Sequence, residues 1–337
     1  MRRTRLALAL ALTLLLIAVA SGCGEKEDVL EAGTPEPFTL MLDYFPNADH
    51  AGIYAAEAAD EFGDAGLDLE IRQPPDPAAP IKQVAAGRVD LALSYEPEVL
   101  RARDQGLRVV SVGALVRKPL TSIVSLPKAR IRSPRDLEGK TVGTAGIDYQ
   151  SAYLRTILTD AGVDPGTVRE RNVGFALTPA LLTGKVDAVL GAFWNYEGTE
   201  LRRKGRDPRI IRMERAGVPT YDELVLVANA SALERDGGRI RAFVSALARG
   251  TRALARDPSR GIQGLLDANP DLDPGLQRAV VRVTLPLLLP PRGRPFGFQD
   301  PGEWQAFTAW MRENRLLTEI PHATGAFTNE LLPGQGL

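Results

Sequence analysis

Cysteine is nearly absent: Cys23 is the only one in 337 residues, which excludes a disulfide framework. Histidine is almost as scarce. With His50 and His322 alone, no histidine-rich metal cluster can form. A Ser–His–Asp triad would have to use one of those two, and no Gly-x-Ser-x-Gly elbow occurs. No EF-hand loop is present, and the Gly143–Gly146 turn lacks the lysine and spacing of a P-loop. Excess charge is missing too, since 41 basic and 42 acidic residues leave a net −1. Nucleic-acid binding, which needs a basic face or stripe, is therefore not expected. Neither a catalytic residue, a metal nor a cofactor is expected, and a binding protein fits these absences better than an enzyme.

What is there begins with the lone cysteine. "MRRTR" is a basic start, Leu6 to Ala20 an uncharged apolar stretch, and "ASGC" a run of small residues ending at Cys23. The stretch is short for a bilayer span and reads as an export signal over residues 1–22. Small residues before a cysteine resemble the lipobox of bacterial lipoproteins, which makes Cys23 a candidate lipid anchor. Two acyl chains there would hold the protein stably on a membrane. Residues 23–37, polar and rich in Pro and Gly, read as the tether.

From Phe38 onward, β-type and helix-type runs alternate. "FTLMLDY", "LDLEIRQ", "VDLALSY" and "LRVVSVGALV" are expected strands, separated by "ADHAGIYAAEAADEFG", "PAAPIKQVAAG" and "EPEVLRARDQG" as helices. The pattern then restarts with "KTVGTAG", "DYQSAYLRTILTDAG", "TVRERNVG", "ALTPALLTG" and "KVDAVLGAFW". Such alternation implies mostly parallel sheets with helices on their faces. The length suits about two domains. "GRVDLALSYEPE" and "GKVDAVLGAFWNYE" echo one another, their first glycines being residues 87 and 184. An echo at matching places predicts two α/β lobes of related design with a cleft between them. "TSIVSLPK" and "YDELVLVANA" are candidates for a two-strand hinge that carries the chain across and back. Residues 38–118 and 228–320 are assigned to the first lobe, 119–227 to the second, and 321–337 to a C-terminal tail.

Open parallel sheets bind ligands beyond the carboxyl ends of their strands. In each echoed phrase an aromatic-carboxylate group falls just past a strand. Tyr95, Glu96 and Glu98 in one lobe, and Phe193, Trp194, Asn195, Tyr196 and Glu197 in the other, are thus expected at the cleft. Asp90 and Asp187, at the opposite strand ends, are expected to be structural turn residues. "LDYFPNADHAGIY" reads two ways: Asn47 or Asp49 simply caps a helix, or Tyr44, Phe45, Asn47 and His50 line the cleft wall.

Four segments carry a resemblance: "LDYFPNADHAGIYAAEAADEFGDAGLDLEI", "SYEPEVLRARDQG", "LEGKTVGTAGID" and "LLTGKVDAVLGAFWNYEG". From about Phe38 to the C-terminal helices the chain resembles the substrate-binding lipoproteins of ABC importers, in the branch related to thiamine-pyrimidine synthase. Binders of formylaminopyrimidine, a thiamine precursor, are the most similar, with riboflavin binders as relatives. The resemblance implies a type II periplasmic-binding-protein fold with two Rossmann-like lobes. It implies a monomer that partners a permease and its ATPase, and a small heterocyclic ligand. It carries Asn47 and His50 over from L-D-aromatic-x-P-N-x-x-H, Tyr95 and Glu98 from S-Y-x-P-E, and Trp194, Tyr196 and Glu197 from W-N-x-E. The related synthase uses a pyridoxal-phosphate lysine, its own histidine and a cysteine-rich iron motif. Here Ser94 and Glu98 stand at the lysine and histidine positions, and no cysteine cluster exists, so the resemblance does not imply synthesis of the pyrimidine.

Overall fold

The computed structural model describes residues 34–318 and 325–334. The expected signal segment, the Cys23 anchor, most of the tether and His322 lie outside the described residues.

Among the described residues, ten strands form two sheets. β1 (Glu36–Met41), β2 (Leu67–Arg72), β3 (Leu91–Ser94) and β4 (Val109–Val116) share the first with β10 (Leu224–Asn229), in the order β2-β1-β3-β10-β4. β5 (Thr121–Ser125), β6 (Thr141–Thr144), β7 (Arg169–Asn172), β8 (Ala188–Phe193) and β9 (Arg209–Arg212) form the second, in the order β7-β6-β8-β5-β9. β1 runs parallel to β2 and β3, and β6 parallel to β7 and β8. In each sheet one strand, β10 or β5, runs against both of its neighbours. The two sheets therefore repeat one design, and the two α/β lobes expected from the echo are present.

The echoed phrases have a local physical cause. Gly87 and Gly184 adopt φ of +66° and +74° just after helices α2 (Pro80–Ala85) and α5 (Leu177–Leu182). Glycine takes that left-handed conformation without strain, which lets the chain turn sharply into the next strand. Asp90 then accepts hydrogen bonds from the Thr39 N–H (2.7 Å) and hydroxyl (2.8 Å), fastening β3 to β1. Asp187 accepts from the Thr141 N–H at 2.9 Å and fastens β8 to β6 in the same way. Both aspartates are structural, as clamps between adjacent strands.

Three helices of the C-terminal half start on an Asp-Pro pair. α8 (Pro258–Ala268), α9 (Pro274–Leu288) and α10 (Pro301–Glu313) have Asp257, Asp273 and Asp300 as caps whose side chains accept first-turn N–H groups. Proline after the cap costs no hydrogen bond, because that N–H has no helical partner anyway. α7 (Ala230–Arg256) packs on α1 (Ala51–Ala58) so tightly that a Cβ on Gly250 would lie 2.3 Å from the Ala56 Cβ. α1 is shorter than the sixteen-residue helix expected from "ADHAGIYAAEAADEFG". Residues Ala48–His50 form a separate 3-10 turn, and Asp60 takes φ +56° and ends the helix.

Two lobe assignments need correction. The hinge segments are not strands shared between lobes: β5 belongs wholly to the second sheet and β10 wholly to the first. The chain crosses at 117–120 and returns by residue 223, so 224–227 pair within the first lobe rather than the second. Glu223 stitches the crossings together, accepting the N–H groups of Leu120 (2.6 Å) and Thr121 (2.8 Å) and the Thr121 hydroxyl (2.8 Å). Residues 325–334 are likewise not a loose tail. Phe327 bridges to Ser111 of β4, and Leu331 and Leu332 are buried.

Candidate functional site

Four chain turns converge between the lobes: those after β1 and β3 from the first lobe, and those after β6 and β8 from the second. They border a cavity with about 470 Å³ of space, part of it open to solvent. Asp43, Tyr44, Asn47, Asp49, His50 and Tyr95 line it from the first lobe. Ile147, Tyr149, Gln150, Phe193, Tyr196 and Glu197 face them from the second. Tyr44, Asn47, His50, Tyr95, Tyr196 and Glu197 are thus brought together around one cavity.

After β1 the chain turns at Pro46 into the 3-10 turn. Asn47 caps that turn, its Oδ1 accepting the Asp49 N–H at 2.9 Å while its own N–H donates to His50 Nδ1 at 3.3 Å. Capping and cavity lining, which the sequence left as alternatives, are therefore both true of Asn47. Because Nδ1 accepts, the proton of a neutral His50 sits on Nε2, which donates to Asp43 Oδ1 at 2.8 Å. The other oxygen of Asp43 accepts the Tyr95 hydroxyl at 2.7 Å. One buried carboxylate thereby orients a histidine and a tyrosine from two different turns.

On the second lobe, Glu197 begins α6 (Glu197–Arg203), and its Oε2 accepts the Phe193 N–H at 2.6 Å. Burial raises its pKa to about 8, which favours the neutral acid at pH 7. Asp49 is also pushed up by burial, to about 6, although hydrogen bonds from Thr284 and Asn195 favour its charged form. Gln150 opens the first turns of α4 (Asp148–Asp160), and its Oε1 accepts the Ala145 N–H at 2.8 Å. Gly191 makes room for it: its φ is +105°, and a Cβ there would sit 2.4 Å from Gln150 Nε2.

Rings from the two lobes meet around the cavity. Tyr44 lies edge-on to Phe175 with centroids 4.6 Å apart, and Tyr95 faces Tyr149 at 5.6 Å. Phe45 contacts Tyr196 at 6.3 Å. The Tyr44 hydroxyl is buried with no hydrogen-bond partner among the described residues. Such a group is expected to meet a partner supplied from the cavity.

Glu96, Glu98, Trp194 and Asn195 were expected at the cleft but do not line it; Glu96 and Asn195 are fully buried, Glu96 accepting the Asp222 N–H at 2.7 Å. Trp194 points to the crossings: its indole N–H donates to the Pro119 carbonyl at 3.1 Å, and the Arg212 guanidinium lies 4.1 Å above its ring. Successive residues leaving a strand point to opposite sides, so Phe193 takes the cavity and Trp194 the outer face. Glu98 is buried under the first turn of α3 (Glu96–Asp104), where it accepts the Ser94 hydroxyl; it is not among the lining residues. Burial raises its pKa to about 7. Trp194→Ala is accordingly expected to lower thermal stability by about 2 kcal/mol, somewhat less than a fully buried tryptophan would. Ligand affinity should change less than about threefold, or under 0.7 kcal/mol, by calorimetric titration. A tenfold weakening would return Trp194 to the site.

Sequence reasoning missed Asp43, Tyr149, Gln150 and Phe175, and treated Asp49 only as a cap. Asp43 was the legible one, standing at the carboxyl end of the first strand where ligands are expected.

Solved structures place the fold. The alkanesulfonate-binding protein of Xanthomonas axonopodis pv. citri, bound to MOPS, superposes with a TM-score of 0.67 at 19% identity, covering 88% of this chain and 99% of that one. The architecture is therefore that of periplasmic binding proteins. Among curated relatives, the formylaminopyrimidine-binding protein of Halalkalibacterium halodurans is 36% identical over 298 residues, 87% of this chain and 90% of that protein. The 4-amino-5-hydroxymethyl-2-methylpyrimidine phosphate synthase of Legionella pneumophila is 24% identical, covering 88% of this chain and 92% of the synthase. A family model described as NMT1/THI5 like matches residues 47–260, from the first cavity turn into the C-terminal helices, and to that family this chain belongs.

Proposed function

We propose that this protein is the extracytoplasmic, lipid-anchored solute-binding component of an ABC importer, and that it carries a pyrimidine precursor of thiamine, of the formylaminopyrimidine or hydroxymethylpyrimidine type, to a permease and its ATPase. The observation that carries this is the interlobe cavity, in which aromatic walls surround a few convergent polar groups: Asp43 with its bound His50 and Tyr95, the neutral acid Glu197, and the unpartnered Tyr44 hydroxyl. An aminopyrimidine matches that lining. Its faces suit the rings, and its amine N–H beside a ring nitrogen is a donor next to an acceptor. A protonated carboxyl offers the reverse pair, an acceptor oxygen next to an O–H donor. The relative that binds formylaminopyrimidine supports the ligand class. Export and lipid anchoring rest on the sequence up to Cys23.

A synthase would need pyridoxal phosphate on a lysine. Ser94, which the resemblance sets at that position, is fully buried, donates its hydroxyl to Glu98 and carries no amine, so the residues present do not fit that cofactor. Riboflavin is a larger ligand than an aminopyrimidine, and the rings that meet across the cavity leave it less room.

Calorimetric titration with formylaminopyrimidine tests the proposal. The expected result is a micromolar or tighter dissociation constant for the wild type. Glu197→Ala should weaken binding by about 30-fold or more, the loss of roughly 2 kcal/mol from a buried hydrogen-bonded pair. Glu197→Gln should weaken it less, because an amide presents the same donor and acceptor as the neutral acid. No heat with the pyrimidine, together with flavin fluorescence in the purified protein, would replace the ligand assignment by riboflavin.

A further inference from the structure

Beside the cavity, the lobes meet a second time. α9 of the first lobe lies against the start of α6 in the second, and the contact is polar at its centre. Asn195 is fully buried, and its Nδ2 donates to Asp49 Oδ1 at 2.6 Å and to Thr284 Oγ1 at 2.8 Å. Thr284 in turn donates to the same Asp49 oxygen at 3.0 Å, which closes a three-membered ring of hydrogen bonds. Two turns away on α9 and on the same face, Gln277 Nε2 donates to the Tyr196 hydroxyl at 3.2 Å. Asn195 and Tyr196 come from the second lobe; Asp49, Thr284 and Gln277 come from the first.

We infer that Asn195, Thr284 and Gln277 form a closure latch, a set of positioning residues that hold the lobes together around a bound solute without touching it. The inference rests on the solute-binding role proposed above. Three features support it. Within the ring the directions agree: Thr284 accepts from the amide and donates to the carboxylate, so the ring works in one sense only, while Asn195 Oδ1 and Gln277 Oε1 are buried with no hydrogen-bond partner among the described residues. Every member is buried in this closed arrangement, yet opening the lobes would expose all of them to water, which replaces the lost partners. Hydrogen bonds exchanged for water in this way contribute modestly, and a weak latch is what a reversible clamp requires. Finally, Asp49 and Tyr196 belong to both systems, lining the cavity with one part and anchoring the latch with another. Solute contacts on those two residues therefore orient the very groups that Asn195 and Gln277 need. The same polar centre explains why Thr284 and Gln277 are buried on a face of α9 that also carries Val280, Val281 and Leu288.

Thr284→Val removes one hydroxyl and keeps the shape. Asn195→Asp keeps the shape and sets a carboxyl against that of Asp49. With formylaminopyrimidine as the probe, stopped-flow kinetics should show dissociation about tenfold faster in Thr284→Val, with association within twofold of wild type and the melting temperature of the ligand-free protein little changed. Asn195→Asp should dissociate faster still at pH 8 and recover part of the difference at pH 5, where the two carboxyls share a proton. A purely structural role would lower stability without this split between the two rates. Unchanged dissociation in both variants overturns the latch. Should the wild type fail to bind the probe, the ligand assignment falls, and hydrogen exchange on the ligand-free protein still decides. Faster exchange confined to residues 47–50, 193–197 and 277–288 in the variants supports the latch; equal protection removes it.

Discussion

Asp43→Ala is expected to unfold this protein about 5–10 °C earlier than wild type and to abolish tight solute binding, whereas Asp43→Asn is expected to be mild. The asymmetry follows from what Asp43 holds. It is 3% exposed and accepts two hydrogen bonds, from the N–H of His50 and the O–H of Tyr95. His50 is 1% exposed and Tyr95 3% exposed, so neither donor finds water when the acceptor is deleted. A buried donor left without a partner costs about 1–3 kcal/mol, and two of them give roughly 2–5 kcal/mol. At about 2 °C per kcal/mol for a chain of this size, the melting shift follows. Asparagine keeps one oxygen for His50, and its amide donates to Tyr95, whose hydroxyl can accept as well as donate. Binding should follow the same order, since the alanine variant frees both cavity side chains to rotate. Differential scanning calorimetry and titration of the three proteins check this; an alanine variant as stable as the asparagine one would show that Asp43 is not the organising group.

The legible part of this molecule was whatever local chain chemistry enforces. The Gly-basic-Val-Asp phrases announced helix end, strand and cleft-facing turn, because left-handed glycines and strand-clamping aspartates act within a few residues of themselves. Two lobes and an interlobe cleft followed from repetition of that unit. What stayed hidden depended on direction and on distant partners. Trp194 and Phe193 are neighbours in the chain, but leave β8 on opposite sides, and no spacing rule said which side was the cavity. Glu98 looked available until Ser94, four residues back, was seen to donate to it. Residues 224–227 of β10 fall in the other lobe from the one expected for a similar reason: an apolar strand fits either sheet, and only its pairing with β3 and β4 decides. Thr284 and Gln277 carry no motif at all, and their meaning comes from residues 89 and 81 positions away.

Ligand-free stability should fall as pH rises from 5 to 8.5, the opposite of the trend expected for a protein held together by exposed ion pairs. Glu197 is raised to about 8, Glu98 and Glu223 to about 7, and Asp49 to about 6, in every case chiefly by burial. In the unfolded chain such groups release their protons near pH 4. Between pH 4 and the folded values, the folded state therefore binds more protons, and each unit of pH favours unfolding by up to about 1.4 kcal/mol per group. The stabilisation is complete below the unfolded values and is lost once the folded values are passed, so the window is pH 4 to 8. Relaxation around the newly charged groups trims the total, and several kcal/mol across the window is the expected scale. Calorimetric melting at pH 5, 6.5 and 8.5 should show a drop of at least about 5 °C. Glu197→Gln supplies the internal control: an amide does not titrate, so the variant should lose one group's share of the slope from pH 4 to 8, and most of the slope between pH 7 and 8, where Glu197 is the last of the four still to ionise. A wild-type melting temperature that is flat or rises over the window would mean that these carboxyls are already ionised in the folded protein. Glu197 would then meet its solute as a carboxylate, and the neutral-acid pairing with the pyrimidine edge would have to be given up.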